Sequence, residues 1–143
     1  MFEITWGNIA IWSGRVPRHT MTCEQTSHEA AKLLIVEDDE AARVALGDIF
    51  DYEGYPVALC CNGQEALDYL HHQPLPALII LDLQMPVMNG WQFCRERMKD
   101  AAIASVPVVV ITAFQSPGNL DVDEVMRKPV DLERLMNTVR HYC

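Results

Sequence analysis

Two runs constrain the fold of this chain more than any other feature: ALIIL at 77–81 and VPVVVI at 106–111 do not alternate apolar with polar residues. A short run of that kind suits a strand covered on both faces, as in a parallel sheet sandwiched between helices. Three further β-rich runs extend the same sheet: LLIV (33–36), VALCC (57–61) and EVMRK (124–128). Helical patterns separate them over 40–52, 64–71 and 91–99, and a last one covers 132–141. Asn62 followed by Glu65 predicts a capping box for the second helix. Leu132, Leu135, Met136 and Val139 form one stripe of the last helix, with Asp131 placed to cap its start. Alternating β and α elements joined by right-handed crossovers predict an α/β fold, a doubly wound five-stranded parallel sheet. Such sheets bind ligands at the carboxyl ends of their strands.

Those ends carry the chemistry. The first strand ends in Glu37, Asp38 and Asp39, the third in Asp82, the fourth in Thr112, and the fifth in Lys128 followed by Pro129. Carboxylates brought this close repel, at about 4 kcal/mol for unit charges 4 Å apart in an effective dielectric near 20. A cation has to compensate them. Carboxylate oxygens with room for water suit Mg²⁺, and Lys128 adds an ammonium beside it. A carboxylate nucleophile with a divalent cation, an ammonium and a hydroxyl is the set that phosphoryl transfer to an aspartate requires.

LIVEDDE, LDLQMPVMNG, ITA and the Lys-Pro pair, with the spacings from Asp38 to Asp82 and from Asp82 to Thr112, resemble the receiver domain of two-component response regulators over residues 32–143. The resemblance implies a flavodoxin-like sheet of strand order 2-1-3-4-5 and phosphorylation of Asp82 by a sensor histidine kinase or phosphotransfer protein. It implies Mg²⁺ bound by Asp38, Asp82 and the backbone carbonyl of Gln84, with Glu37 acting through water. Thr112 and Lys128 then stabilise the phosphoryl oxygens, and Pro129 follows a cis peptide bond. The expected role is signalling through an unidentified downstream protein, with no enzymatic activity beyond self-catalysed phosphotransfer and dephosphorylation.

Two departures from the receiver pattern stand out. The interval from Thr112 to Lys128 is several residues short, and AFQSPGNLDVD, with Pro117 and Gly118, predicts a loop or a single turn in place of the fourth helix. Val125 occupies the position, three before the lysine, where receivers usually carry an aromatic switch residue. These departures motivate a second reading, a degenerate receiver that binds its partner without phosphorylation.

The formal net charge of −9, with no basic block to offset it, argues against nucleic acid and anionic membranes. No run reaches the roughly 18 apolar residues of a membrane-spanning helix, so no membrane insertion is expected. Residues 1–31 lack sustained periodicity and are expected to be a poorly ordered extension, with Met21 an alternative start. Glu3 and the late Arg15 and Arg18 do not suit a signal peptide. Five cysteines with no C-x-x-C pair are expected as thiols in a reducing, cytoplasmic compartment. With 32–143 as the receiver, little chain follows Pro129, which leaves no room for an output domain. His19, His28, His71, His72 and His141 read as surface residues, and Trp91, Phe93 and Met98 as core.

An aspartyl phosphatase would carry a general acid two residues after its nucleophile, where this chain has Gln84. A nucleotide-binding fold would end its first strand in a glycine-rich cradle rather than in acids.

Overall fold

The computed structural model describes residues 30–143. The expectations for residues 1–29, including the alternative start at Met21, His19, His28 and Cys23, lie outside the described residues.

The elements run β1 (Leu33–Val36), α1 (Glu40–Tyr52), β2 (Val57–Cys60), α2 (Gly63–His72), β3 (Leu78–Asp82), α3 (Gly90–Arg97), α4 (Ala101–Ala104), β4 (Val108–Thr112), β5 (Glu124–Arg127) and α5 (Leu132–Tyr142). All five strands are parallel, in the order β2-β1-β3-β4-β5. The expected doubly wound sheet is therefore present, and its boundaries differ from the sequence reading by one or two residues.

Side-chain alternation divides the core in two. Leu34, Val36, Ile79, Leu81, Val108 and Val110 pack on one face with residues of α2, α3 and α4. Leu33, Ile35, Leu78, Ile80, Val109 and Ile111 pack on the other with Phe50 of α1 and Leu135 and Val139 of α5. Both sets are apolar, which is why β3 and β4 read as unbroken runs. Each fully buried isoleucine or leucine contributes about 1.5–3 kcal/mol.

The helices start where short polar residues satisfy free amides. Asp39 accepts from Ala42 N at 3.1 Å, Asn89 from Gln92 N at 2.9 Å and Asp131 from Arg134 N at 3.0 Å. The capping box expected at α2 is half formed. Asn62 caps Glu65 N at 2.9 Å, but the Glu65 carboxylate takes the Cys61 amide, at 2.9 Å, one residue earlier than a closed box requires. A reciprocal box forms instead at α3, between Asn89 and Gln92. Helix α1 ends at Gly54, whose φ of +94° turns the chain out of the helix, while Tyr55 N reaches back to Phe50 O at 3.0 Å.

No helix forms between Thr112 and Glu124, so the β4–β5 crossover is a strap, residues 113–123, as its proline and glycine imply. Leu120 and Val122 tuck partly under it against the core. Phe93 is buried as expected, but Met98 is 46% exposed, because it is the C-cap residue of a helix too short to carry it inward. His71, His72 and His141 are exposed. Cys61, Cys94 and Cys143 are free thiols, whereas Cys60 is disulfide-bonded, which corrects the expectation of five thiols. Among the described residues, no helix is long and apolar enough to cross a membrane.

Candidate functional site

The carboxyl ends of β1 and β3 lie side by side, since Val36 pairs with Leu81, so the acids that follow each strand meet. Glu37, Asp38 and Asp82 each offer an oxygen within 4.8 Å of the others. Asp38 is exposed, whereas Glu37 and Asp82 are only 4% and 6% exposed. The sheet reaches Lys128 last, through β5, and its Nζ lies 3.1 Å from Glu37 Oε2 and 3.6 Å from Asp82 Oδ2. One ammonium thus faces two buried carboxylates, with a third, exposed one beside them, an excess of negative charge that a cation would offset.

The electrostatics agree. Burial pushes the Glu37 carboxyl above its ordinary value, the Asp82 charge adds to the effect, and the Lys128 hydrogen bond only partly opposes it. For Lys128, burial works to lower the value, but the Glu37 hydrogen bond and the charges of Glu37 and Asp82 outweigh it and hold the ammonium more strongly protonated. The donor set, three hard carboxylates of which two are desolvated, fits a divalent oxygen-seeking cation.

Backbone contacts set the rest of the geometry. The Leu83 amide donates to Asp82 Oδ1 at 2.8 Å and fixes the carboxylate's orientation. Gly90 lies so close behind Asp82 that a Cβ there would meet Asp82 O at 2.6 Å and the Leu83 Cα at 2.8 Å. The β3–α3 loop is held by Gly90 N to Leu83 O and by Gly63 N to Met88 O, each 2.9 Å. In the same loop Val87, 80% exposed, takes a φ of +67°, and Met88 N closes a tight turn around it onto Pro86 O at 2.8 Å.

Thr112 is fully buried at the end of β4, one residue past Ile111, which pairs with Asp82. Its Oγ1 accepts the Phe114 amide at 3.0 Å, and its carbonyl accepts Lys128 N at 2.9 Å. The peptide bond between Lys128 and Pro129 is cis. Gln84 lies exposed, two residues past Asp82. Asp39 caps α1. An apolar cleft lined by Ile35, Ile80 and Ile111 opens beside Glu37, Asp82 and Lys128.

Sequence reasoning missed Arg43, whose guanidinium donates to Glu37 O at 2.8 Å and Asp38 O at 3.3 Å and so steadies the acidic turn from α1. Its position one helical turn into α1, following the acidic cluster, was the available signal. The packing role of Gly90 had no such signal, because a glycine after Asn reads as an ordinary helix start.

The family model described as the response regulator receiver domain matches residues 33–140. The response regulator Rre1 of Synechocystis is 36% identical over 120 residues, which cover 79% of this chain but 52% of Rre1. The chain thus spans about half the length of that relative. The polar-differentiation response regulator DivK of Brucella anthropi is 29% identical over 116 residues, covering 77% of this chain and 94% of DivK. Among solved structures, the receiver domain of a signal transduction histidine kinase from Syntrophus aciditrophicus aligns with a TM-score of 0.70 at 30% identity, covering 79% of this chain and 89% of that one. The receiver domain of a Pseudomonas aeruginosa sensor histidine kinase, with a magnesium ion coordinated in its active site cleft, aligns at 0.72. It is 22% identical, with coverage of 80% and 98%, and that likeness is one of fold.

Proposed function

This chain belongs to the response regulator receiver family, and from that premise we propose that it accepts a phosphoryl group on Asp82 from a histidine kinase or phosphotransfer protein. The receiver unit is residues 32–143, and the output is contact with a downstream protein. The observation that carries the reading is the convergence of Glu37, Asp38 and Asp82 within 4.8 Å, with the Lys128 ammonium against two of them.

The chemistry follows from the positions of these groups. A carboxylate oxygen of Asp82 forms a bond to phosphorus as the P–N bond of the donor's phosphohistidine breaks, and the imidazole nitrogen leaves with that electron pair and takes up a proton. Leu83 N–H holds Oδ1 and so aims the carboxylate. Lys128 pairs with a phosphoryl oxygen as the charge moves outward from the carboxylate, and the Thr112 hydroxyl donates to another. Asp38 and Asp82, the Gln84 carbonyl, and Glu37 through water are the groups that would hold Mg²⁺. When bound, it neutralises charge shared between the carboxylates and the phosphoryl oxygens.

The strap and Val125 favour a second reading, a receiver that engages its partner without phosphorylation. Incubation with Mg²⁺ and acetyl phosphate, followed by intact mass measurement, separates the two. An adduct of one phosphoryl group that disappears in Asp82→Asn supports the first reading. Failure to form an adduct with acetyl phosphate or phosphoramidate would leave the second.

A further inference from the structure

Thr112 and Lys128, the two residues assigned above to the phosphoryl oxygens, each stand beside an anchor of the strap. Thr112 Oγ1 accepts the Phe114 amide at 3.0 Å. Lys128 follows Arg127, whose guanidinium holds Gln115 by its side-chain Oε1 at 2.6 Å and by its main-chain oxygen at 2.7 Å. Helix α3 fastens the strap at two places, through Arg97 to Asp121 O and, nearer the phosphoacceptor end, through Trp91. The Trp91 indole N–H donates to Pro117 O at 2.8 Å, and its ring meets Phe114 edge-on, with centroids 5.2 Å apart at 89°. Phe114 therefore belongs both to the Thr112 anchor, through its amide, and to the Trp91 fastening, through its ring.

We propose that the Phe114–Trp91 contact is the element by which occupancy of Asp82 is read, in place of the aromatic that Val125 replaces. The inference rests on the phosphoacceptor reading above. To donate to a phosphoryl oxygen, the Thr112 hydroxyl turns towards Asp82, and the Phe114 amide then either follows Oγ1 or loses its acceptor. Both outcomes shift the Phe114 ring against an indole that α3 and Pro117 hold in place. A phosphoryl group biases a conformational equilibrium only through contacts it makes better in one arrangement. The Thr112 bond supplies that difference, and the Lys128 contact, next to the Arg127 anchor, pulls on the same strap. Loss of the ring contact leaves the indole more hydrated, which shifts its emission to the red.

The test uses the full chain with Trp6→Phe and Trp12→Phe, so that Trp91 is the sole tryptophan. Mg²⁺ with acetyl phosphate is expected to red-shift Trp91 emission in proportion to the phosphorylated fraction measured on the same samples by intact mass. Mg²⁺ alone is expected to leave it unchanged. Phe114→Ala is expected to form the adduct but lose the optical response, and Phe114→Leu, which keeps apolar bulk under the strap, is expected to do the same. A full adduct with unchanged emission overturns the coupling and leaves the phosphoacceptor reading standing. A response that persists undiminished in both Phe114 variants, or that appears in full with Mg²⁺ alone, also overturns it. Absence of any adduct overturns both readings together.

Discussion

The acceptor end and the strap are neighbours built on opposite terms. At the acceptor end the residues hang from strands whose backbone is satisfied by the sheet. Glu37, Asp82 and Thr112 each take one nearby amide, and the second carboxylate oxygens of Glu37 and Asp82 and the Lys128 ammonium face one another. In the strap, where no helix satisfies the main chain, long side chains from other elements do so. Arg97 donates to Asp121 O at 2.8 Å, Trp91 to Pro117 O at 2.8 Å and Arg127 to Gln115 O at 2.7 Å. Backbone that satisfies itself leaves side chains free to act, and backbone that does not consumes them as struts.

The strongest strut offers the largest test. Arg97 is 3% exposed, and its Nη1 also donates to Ala104 O and Val106 O, each at 3.1 Å. Arg97→Met strands these carbonyls and should cost about 3–4 kcal/mol in urea unfolding, with faster hydrogen exchange across 113–123. Phosphorylation of Asp82 should survive, and its loss would break the division between the two regions. The next largest effect belongs to the acceptor end. Gly90→Ala forces a Cβ against Asp82 O and should cost about 2 kcal/mol in a thermal melt and slow adduct formation, with strap exchange unchanged. A variant neutral in both would show that the loop behind Asp82 yields. The smallest effect has the opposite sign. Val87→Gly removes a branched side chain from a φ of +67° and should stabilise by about 1 kcal/mol in chemical denaturation. Destabilisation would mean that the exposed turn carries no strain.

The same contrast decides what the sequence could tell. The parallel buried sheet and the Glu37–Asp38–Asp82 cluster were legible because burial writes unbroken apolar runs and topology then carries each strand's last residue to one place, while the strand order came from the resemblance to receiver domains. The absence of a crossover helix was legible from Pro117 and Gly118. The struts were not. An arginine in the last turn of a helix is read as a solvated charge favoured by the helix dipole, and only tertiary placement takes Arg97 inside, onto carbonyls far along the chain. Trp91 was read as core for a similar reason, yet it is half-buried, with its indole N–H bonded to the strap. The Glu65 carboxylate followed the pattern of a capping box, but the neighbouring Cys61 amide competed for it and won.

The strap also sets an asymmetry in how this chain tolerates length changes. From Thr112 to Glu124 the contour available is about 40 Å. It must climb over the side chains covering β4 and return to the start of a strand about 4.8 Å aside. Deletions within 113–123 therefore soon pull on Thr112 and Lys128 themselves. Insertions beside Gly118, where φ is +85° and nothing lies within 4 Å of where a Cβ would stand, extend into open water. The crossover is near its minimum length and far from any maximum, so this is where the chain can be lengthened without disturbing the sheet.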